Sequence, residues 1–169
     1  MLLERLAGFR YSLFRLETLQ VYRGSSEDEA FAAYRAGRSI PVTPELREWC
    51  ARVHRRVSDG CAVQRVHVVT EPATEYIDFE VASYAPNVDA GEDVRIIRVA
   101  EGNPWPAEVP HQDFWLVDAT ELWVMAYAED GTWLGAEHVR DLGEIVAASH
   151  ARDAALAQAQ PWARDKRRA

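Results

Sequence analysis

Residues 62–69, A-V-Q-R-V-H-V-V, and residues 94–99, V-R-I-I-R-V, decide the fold. Both are β-branched runs of strand length. In the first, Val66 and Val68 point to one side while Val63, Arg65, His67 and Val69 point to the other. Pro72 ends that strand. Between the two runs, Ile77, Val81, Tyr84 and Val88 make one helical stripe over about 74–88, with Tyr76 beside it and Gly91 after it. Strand, helix and strand in roughly 40 residues predict a right-handed parallel β-α-β unit. Val66, Val68, Ile96 and Ile97 are expected in its core, with Ile77, Val81 and Tyr84 packed over them.

Upstream, residues 14–22 partly alternate, Phe14, Leu16 and Thr18 against Arg15, Glu17 and Leu19, and predict a strand. Gly24-Ser25-Ser26 breaks it, and Ser26 is placed to cap a helix over about 27–36 that Gly37 stops. The next helix has Thr43 as N-cap and Pro44 in its first position. Leu46, Trp49, Cys50, Val53 and Val57 form its apolar stripe, Arg52, Arg55 and Arg56 lie off it, and Gly60 closes it. Downstream, 102–106 (G-N-P-W-P) reads as a loop. Strands follow at 114–118, 122–127 and 133–137, with an Asp130-Gly131 hairpin turn. Asp141 caps a last, Ala-rich helix to about Gln158. The prediction is a single α/β domain spanning 1–169: a mixed sheet whose parallel β-α-β core is extended by an antiparallel meander, with helices packed on it. The ordered core is expected over about 14–160, ahead of a basic tail at 162–169.

Composition narrows the function classes. The 169 residues are 48% apolar and 27% charged, which excludes a disordered or disulfide-stapled chain. No apolar run approaches the ~20 residues of a membrane helix, and Glu4 and Arg5 spoil residues 1–9 as a signal peptide. A cytoplasmic protein is expected. The two cysteines, Cys50 and Cys61, form no C-x-x-C pair. Residues 66–139 hold fifteen acids against Arg95 and Arg98 alone, so this acidic middle would repel a phosphate backbone and direct nucleic-acid binding is not expected. Eighteen arginines against the single Lys166, with 26 alanines, suggest a GC-rich, actinobacterial genome.

Catalytic templates fail: there is no G-x-S-x-G, H-E-x-x-H, Walker A or dinucleotide G-x-G-x-x-G. His111-Gln112-Asp113 has H-x-D spacing that His138 or His150 would complete as an iron triad. A Pro-rich loop ending at His111 is the simpler reading, and no metal or cofactor is expected. Glu71, Glu75, Asp78 and Glu80 read as a solvated helix face rather than paired catalytic carboxylates. His67, flanked by valines, reads as a packed histidine. Ligands of sheets with parallel strands gather beyond the strands' carboxyl ends, here 69–71 and 98–99. Glu71, Tyr76, Arg98, Trp115 and Asp113 are therefore the candidate ligand-binding residues. Glu71, Tyr76, Arg98 and Trp115 are expected around one concavity, with Arg98 either paired to Glu71 or holding an acidic ligand group.

The motifs V-H-V-V-T-E-P-x-x-x-Y-x-x-F-E (66–80), A-G-E-D-V-R-I-I-R (90–98) and D-F-W-L-V-D (113–118) together resemble an uncharacterised actinobacterial family, a domain of unknown function, over about 14–160. The family pattern carries over to Arg65, Glu71, Pro72, Tyr76, Phe79, Glu80, Gly91, Glu92, Asp93, Arg95, Asp113, Phe114, Trp115 and Asp118; Asp78 stands where an Arg is common. The resemblance implies a gene beside a helix-turn-helix regulator. The layout more distantly resembles phospholipase-D-like domains, whose active members use H-x-K-x-x-x-x-D. With its one lysine in the tail, this chain lacks that motif, and the resemblance implies a degenerate, sensor-like version. The expectation is a non-enzymatic regulatory or accessory module binding a partner protein or a small ligand. The alternatives are a small enzyme using the Glu71/Tyr76/Asp113 region, or a toxin–antitoxin-like component.

Overall fold

The computed structural model describes residues 1–23 and 28–163. The Ser26 cap and the basic stretch 164–168 lie outside the described residues. Seven strands form one sheet: β1 (Ser12–Glu17), β2 (Ala62–Thr70), β3 (Asp93–Val99), β4 (Phe114–Val117), β5 (Glu121–Tyr127), β6 (Trp133–Val139) and β7 (Gln160–Pro161). Their spatial order is β6-β5-β4-β1-β2-β3-β7. β1, β2 and β3 run parallel, β4 pairs antiparallel with β1, and β4-β5-β6 is an antiparallel meander. This is the mixed sheet that the sequence predicts. β1 stops at Glu17, short of the expected 14–22, because the chain turns there to bring Thr18 onto Asp113.

Alternation divides the strand side chains between two faces. On one, α6 (Leu142–Gln158) lays Ile145, Ala148, Ala151 and Ala155 over Phe14, Leu16, Val66, Val68, Ile97 and Leu116. Its alanines let the helix approach closely, and the Asp141 carboxylate caps it by accepting from the Glu144 amide at 3.0 Å. Five helices cover the other face: α1 (Leu2–Gly8), α2 (Asp28–Arg35), α3 (Pro44–Ser58), α4 (Glu75–Ser83) and α5 (Ala85–Asp89). The Thr43 hydroxyl caps α3 as predicted, accepting from the Leu46 amide at 3.2 Å. Here the core is split. Leu6, Phe9, Leu13, Val53, Val63 and Trp123 gather under α1 and α3, while Val69, Ile77, Phe79, Tyr84 and Ile96 gather under α4. Each such side chain removed from water contributes about 1.5–3 kcal/mol.

Three details differ from expectation. The predicted helix over 74–88 is two helices meeting at Tyr84, because Pro86 has no amide proton for a continuous ladder and instead sits in the first turn of α5. Ile96 does lie under Ile77 and Tyr84, but Val66, Val68 and Ile97 face α6 instead. Ile96 and Ile97 are sequence neighbours, so a strand must send them to opposite faces. Finally, α1 and β7 were not expected; β7 pairs with Arg95 and Ile96, and Trp162 beyond it donates its indole N–H to the Val81 carbonyl at 2.8 Å.

Candidate functional site

Between the two halves of the split core, the helix-covered face of the sheet carries charge. The parallel register sets Arg15 of β1 beside Arg65 of β2, and Glu17 beside His67. All four point to the same face. Arg15 is 4% exposed, Glu17 6% and His67 0%. Burying charges of this kind is costly unless each is paired and hydrogen-bonded, and the neighbours supply those partners. Arg65 Nη1 donates to both oxygens of Glu17, at 2.8 and 3.0 Å, and its Nε donates to Glu92 at 2.8 Å. Asn87 Nδ2 donates to the other Glu92 oxygen at 2.7 Å. Arg15 Nη2 donates to Asp113 at 3.0 Å and to the Tyr127 hydroxyl at 3.0 Å. Asp113 also accepts from the Thr18 amide and hydroxyl, at 2.7 and 2.8 Å, and from the Tyr22 hydroxyl at 2.6 Å.

His67 bridges the ends of this network. Its Nε2 lies 3.0 Å from the Leu19 carbonyl, which can only accept, so Nε2 carries the ring proton. Nδ1 is then a lone pair 2.8 Å from the Tyr84 hydroxyl, which also lies 3.0 Å from Glu17 Oε2. One hydroxyl proton thus serves two acceptors. Burial pushes the His67 pKa down, despite the Glu17 charge. For Glu17, burial alone would raise the pKa, but the Arg65 and Arg15 charges outweigh it and hold the carboxyl well below the usual carboxylate range. Burial and then the Glu17 charge push Tyr84 upward, so its hydroxyl keeps its proton at neutral pH.

Glu17, His67 and Glu80 bring ligand atoms within 4.8 Å of one another, the one gathering of metal-ligating groups among the described residues. The donor set does not suit a resident dication. The Glu17 oxygens already accept from Arg65 and Tyr84, both His67 nitrogens are in hydrogen bonds, and two guanidiniums stand beside them. The other triad is not assembled. Asp113 is fully buried in the network, His138 stacks on Trp123 at 4.4 Å, His111 stacks on Trp105 at 3.8 Å, and His150 is exposed on α6.

A cavity of about 920 Å³ opens above the network, between the α1/α3 side and α4/α5. Leu6, Leu46, Trp49, Phe79 and Trp115 are among its apolar walls, and Arg65, Glu80 and Tyr84 bring the edge of the network to it. Trp49 and Trp115 meet edge to face at 6.2 Å, and the Arg15 guanidinium lies over the Trp115 ring at 5.3 Å. Arg15 Nη1 and Trp49 Nε1 are buried donors without an acceptor among the described residues. Arg52, which the sequence places off the apolar stripe of α3, lines the cavity and pairs with Glu48 at 3.1 Å.

The sequence-predicted site residues fall in three places. Glu71 and Arg98 form an ion pair at 3.2 Å, each about half exposed. Tyr76 is buried among Phe31, Phe79 and Tyr22, and Asp113 reaches the same Tyr22 from the other side. Trp115 alone of the five lines the cavity among the described residues, so Glu71, Tyr76, Arg98 and Trp115 do not surround one concavity. Of the four acids read as a solvated face, Glu75 and Asp78 are exposed, but Glu80 is buried, since it shares the inward side of α4 with Tyr76 and Phe79. Sequence reasoning missed Arg15, Glu17 and Glu92 as interacting groups. Their signal was charge alternating with apolar residues along β1 and β2; the register sets Arg15 beside Arg65 and Glu17 beside His67, so the opposite charges of Arg65 and Glu17 meet as diagonal neighbours, which the register alone reveals.

The model of one family, Domain of unknown function (DUF6879), matches residues 2–164, nearly the whole chain, and the chain belongs to that family. No curated protein matches the sequence.

Proposed function

We propose that the protein is a non-enzymatic regulatory module whose cavity binds a small, largely apolar molecule. The observation that carries this reading is the cavity itself. Its roughly 920 Å³ lies in the range of small-molecule sites, and it has the expected make-up of apolar walls with a few placed polar groups. The network beneath it supports binding over catalysis. Its one histidine is sealed from solvent with both nitrogens in hydrogen bonds, and Arg65 is held by Glu17 and Glu92. A general base needs a reachable proton to take, and His67 has no path to one. Among the described residues no helix is long and apolar enough to cross a membrane. The proposal includes a cytoplasmic location, an actinobacterial source, a helix-turn-helix regulator as partner, and descent from a degenerate phospholipase-D-like sensor. Arginine-rich composition and the missing H-x-K-x-x-x-x-D motif support it.

The test uses the neutral fluorescent probe N-phenyl-1-naphthylamine. It is expected to brighten with the wild type and to be displaced by small molecules released from freshly purified protein on denaturation. Ala82 lines the cavity from α4, and Ala82→Trp should abolish brightening while leaving the circular dichroism spectrum unchanged. Equal brightening by a folded Ala82→Trp protein would overturn the reading.

A second reading, docking of a partner protein, is favoured by edge strand β6, where Trp133 and Leu134 are 52% and 67% exposed. Trp133→Ser with Leu134→Ser should release a partner captured from the native host; retained capture would locate the contact elsewhere.

A further inference from the structure

We infer that the cavity selects neutral ligands carrying a carbonyl oxygen, held by the indole N–H of Trp49 with the Arg15 guanidinium as second donor; this deepens the ligand-binding reading above and rests on it.

Two donors stand unmet at the same wall. Trp49 Nε1 and Arg15 Nη1 are covered from bulk water and have no acceptor among the described residues. A buried donor in that state carries its full desolvation penalty, and few native side chains are left so. Both side chains adjoin the ring of Trp115. The Trp49 ring meets it at 6.2 Å, and the Arg15 guanidinium lies over it at 5.3 Å. Trp49 and Trp115 line the cavity. The other nitrogens of the Arg15 guanidinium are committed, Nη2 to Asp113 and Tyr127 and Nε to Glu17, so Nη1 is the part of it left to bind. Trp49 is only partly buried on α3, and a rotation of its indole is enough to present Nε1 to a ligand.

The kind of group that fits follows from the donors. An indole N–H and a guanidinium N–H can only donate. An ammonium also only donates, so it would add an unmet group rather than satisfy one. A hydroxyl accepts but brings a proton that needs an acceptor of its own. A carbonyl oxygen accepts without donating, and its two lone pairs match two donors. Charge separates the carbonyl from a carboxylate. Arg15 is already paired with two acids, Glu17 and Asp113. Glu4, Glu45 and Glu48 line the cavity as well, and Arg52 is tied to Glu48. A further negative charge would be repelled along this path. The recognised class is therefore a ketone, ester or tertiary amide on a hydrocarbon or aromatic body.

The experiment compares three probes of one shape by displacement of N-phenyl-1-naphthylamine: 2-acetylnaphthalene, its alkene isostere 2-isopropenylnaphthalene, and 2-naphthoate. The alkene leaves water more readily than the ketone, so apolar walls alone would favour it. At pH 7 the ketone is instead expected to bind at least tenfold tighter than the alkene, and the naphthoate weaker than the ketone. Trp49→Phe keeps an aromatic ring and removes the N–H; it should cut the ketone-to-alkene ratio at least threefold. The infrared carbonyl stretch of bound 2-acetylnaphthalene should lie below its frequency in hexane and move back up in Trp49→Phe. The ratio and the stretch in the wild type need no variant, so they decide the matter even if Trp49→Phe fails to fold. A ratio near one, a ratio that a folded Trp49→Phe protein retains, or naphthoate binding tightest would overturn the inference while leaving the cavity a ligand site. No binding by any of the three would overturn both.

Discussion

Replacing Arg65 with Met tests whether the buried network carries the energetic weight that its geometry implies. The Met side chain keeps much of the aliphatic stem and removes the guanidinium. Arg65 has a side chain only 13% exposed, and its partners Glu17 and Glu92 are 7% and 1% exposed. Deleting one partner of a buried pair costs about 3–5 kcal/mol, because the remaining charge is stranded. Two carboxylates lose a partner here, but neither is abandoned. Glu17 keeps Arg15 at 3.4 Å and Tyr84 at 3.0 Å, and Glu92 keeps Asn87 at 2.7 Å. The loss should therefore fall within that range rather than double it. Against a total of ~5–15 kcal/mol for a domain, this is a large fraction. At ~2–4 °C per kcal/mol for this chain length, Tm should drop by about 6–20 °C. Urea unfolding followed by tryptophan fluorescence measures it. The triple variant Arg65→Met, Glu17→Gln, Glu92→Gln removes the stranded charges and should recover more than half of the loss. A single-variant loss under ~1 kcal/mol, the worth of an exposed pair, would refute the reasoning, as would a triple variant weaker than the single.

Acid should unfold the protein in two stages. His67 has a folded-state pKa below its ordinary 6.5, so the unfolded chain binds the extra proton and stability declines as pH falls below 6.5. Glu17 has a folded-state pKa below its ordinary 4.5, so its contribution is present above 4.5 and is lost as pH falls further. His67→Gln should flatten the upper stage of a Tm-against-pH curve and leave the lower one; an unchanged upper stage would contradict the buried neutral ring. Ile96→Ala should cost ~2–5 kcal/mol in urea, the range for emptying a buried site. Gly131→Ala should be severely destabilising by the same assay, because φ is +86° and the added Cβ would stand 2.4 Å from the Val21 carbonyl oxygen. Ala119→Gly should raise Tm, since Ala119 holds φ +56° in the β4–β5 turn, a conformation that costs a residue with a Cβ ~1–2 kcal/mol; no gain would mean that the turn is not strained.

How much of this was legible depended on whether a segment's signal was local. Thr43-Pro44 and Asp141 announce helix starts through chemistry confined to a few residues, and the structure places α3 and α6 where they say. The alternation of 62–69 correctly assigned Val66 and Val68 to one face and Arg65 and His67 to the other. It could not say what covers the second face. Charged residues alternating with valines are the ordinary signature of a water-exposed side, and only the docking of α3, α4 and α5 turns that side inward. The family resemblance came nearer. Its pattern included Arg65, Glu80, Glu92 and Asp113, four members of the buried cluster, and Asp118, which accepts from the amides of Arg10, Tyr11 and Ser12. The Glu71–Arg98 pair anticipated as one of two options is present, yet on the half-exposed end of the sheet rather than in the cavity. The helix break at Tyr84 was hidden because the apolar stripe runs through it without losing phase.

The central position of β1 has a consequence for the chain during synthesis. This strand leaves the ribosome long before either neighbour, since its partners β2 and β4 begin about 50 and 100 residues later. At ~5–20 residues per second the second partner arrives roughly 5–20 s after the strand itself. For about the first half of that interval both edges of β1 are unpaired, and until β4 arrives one edge still is, the condition under which nascent strands associate with one another. Arg15 and Glu17 keep it from being a continuous apolar ribbon while it waits. The charges whose desolvation opposes the finished fold thus protect the unfinished one, and replacing them with apolar residues would trade solubility of the nascent chain for stability of the product.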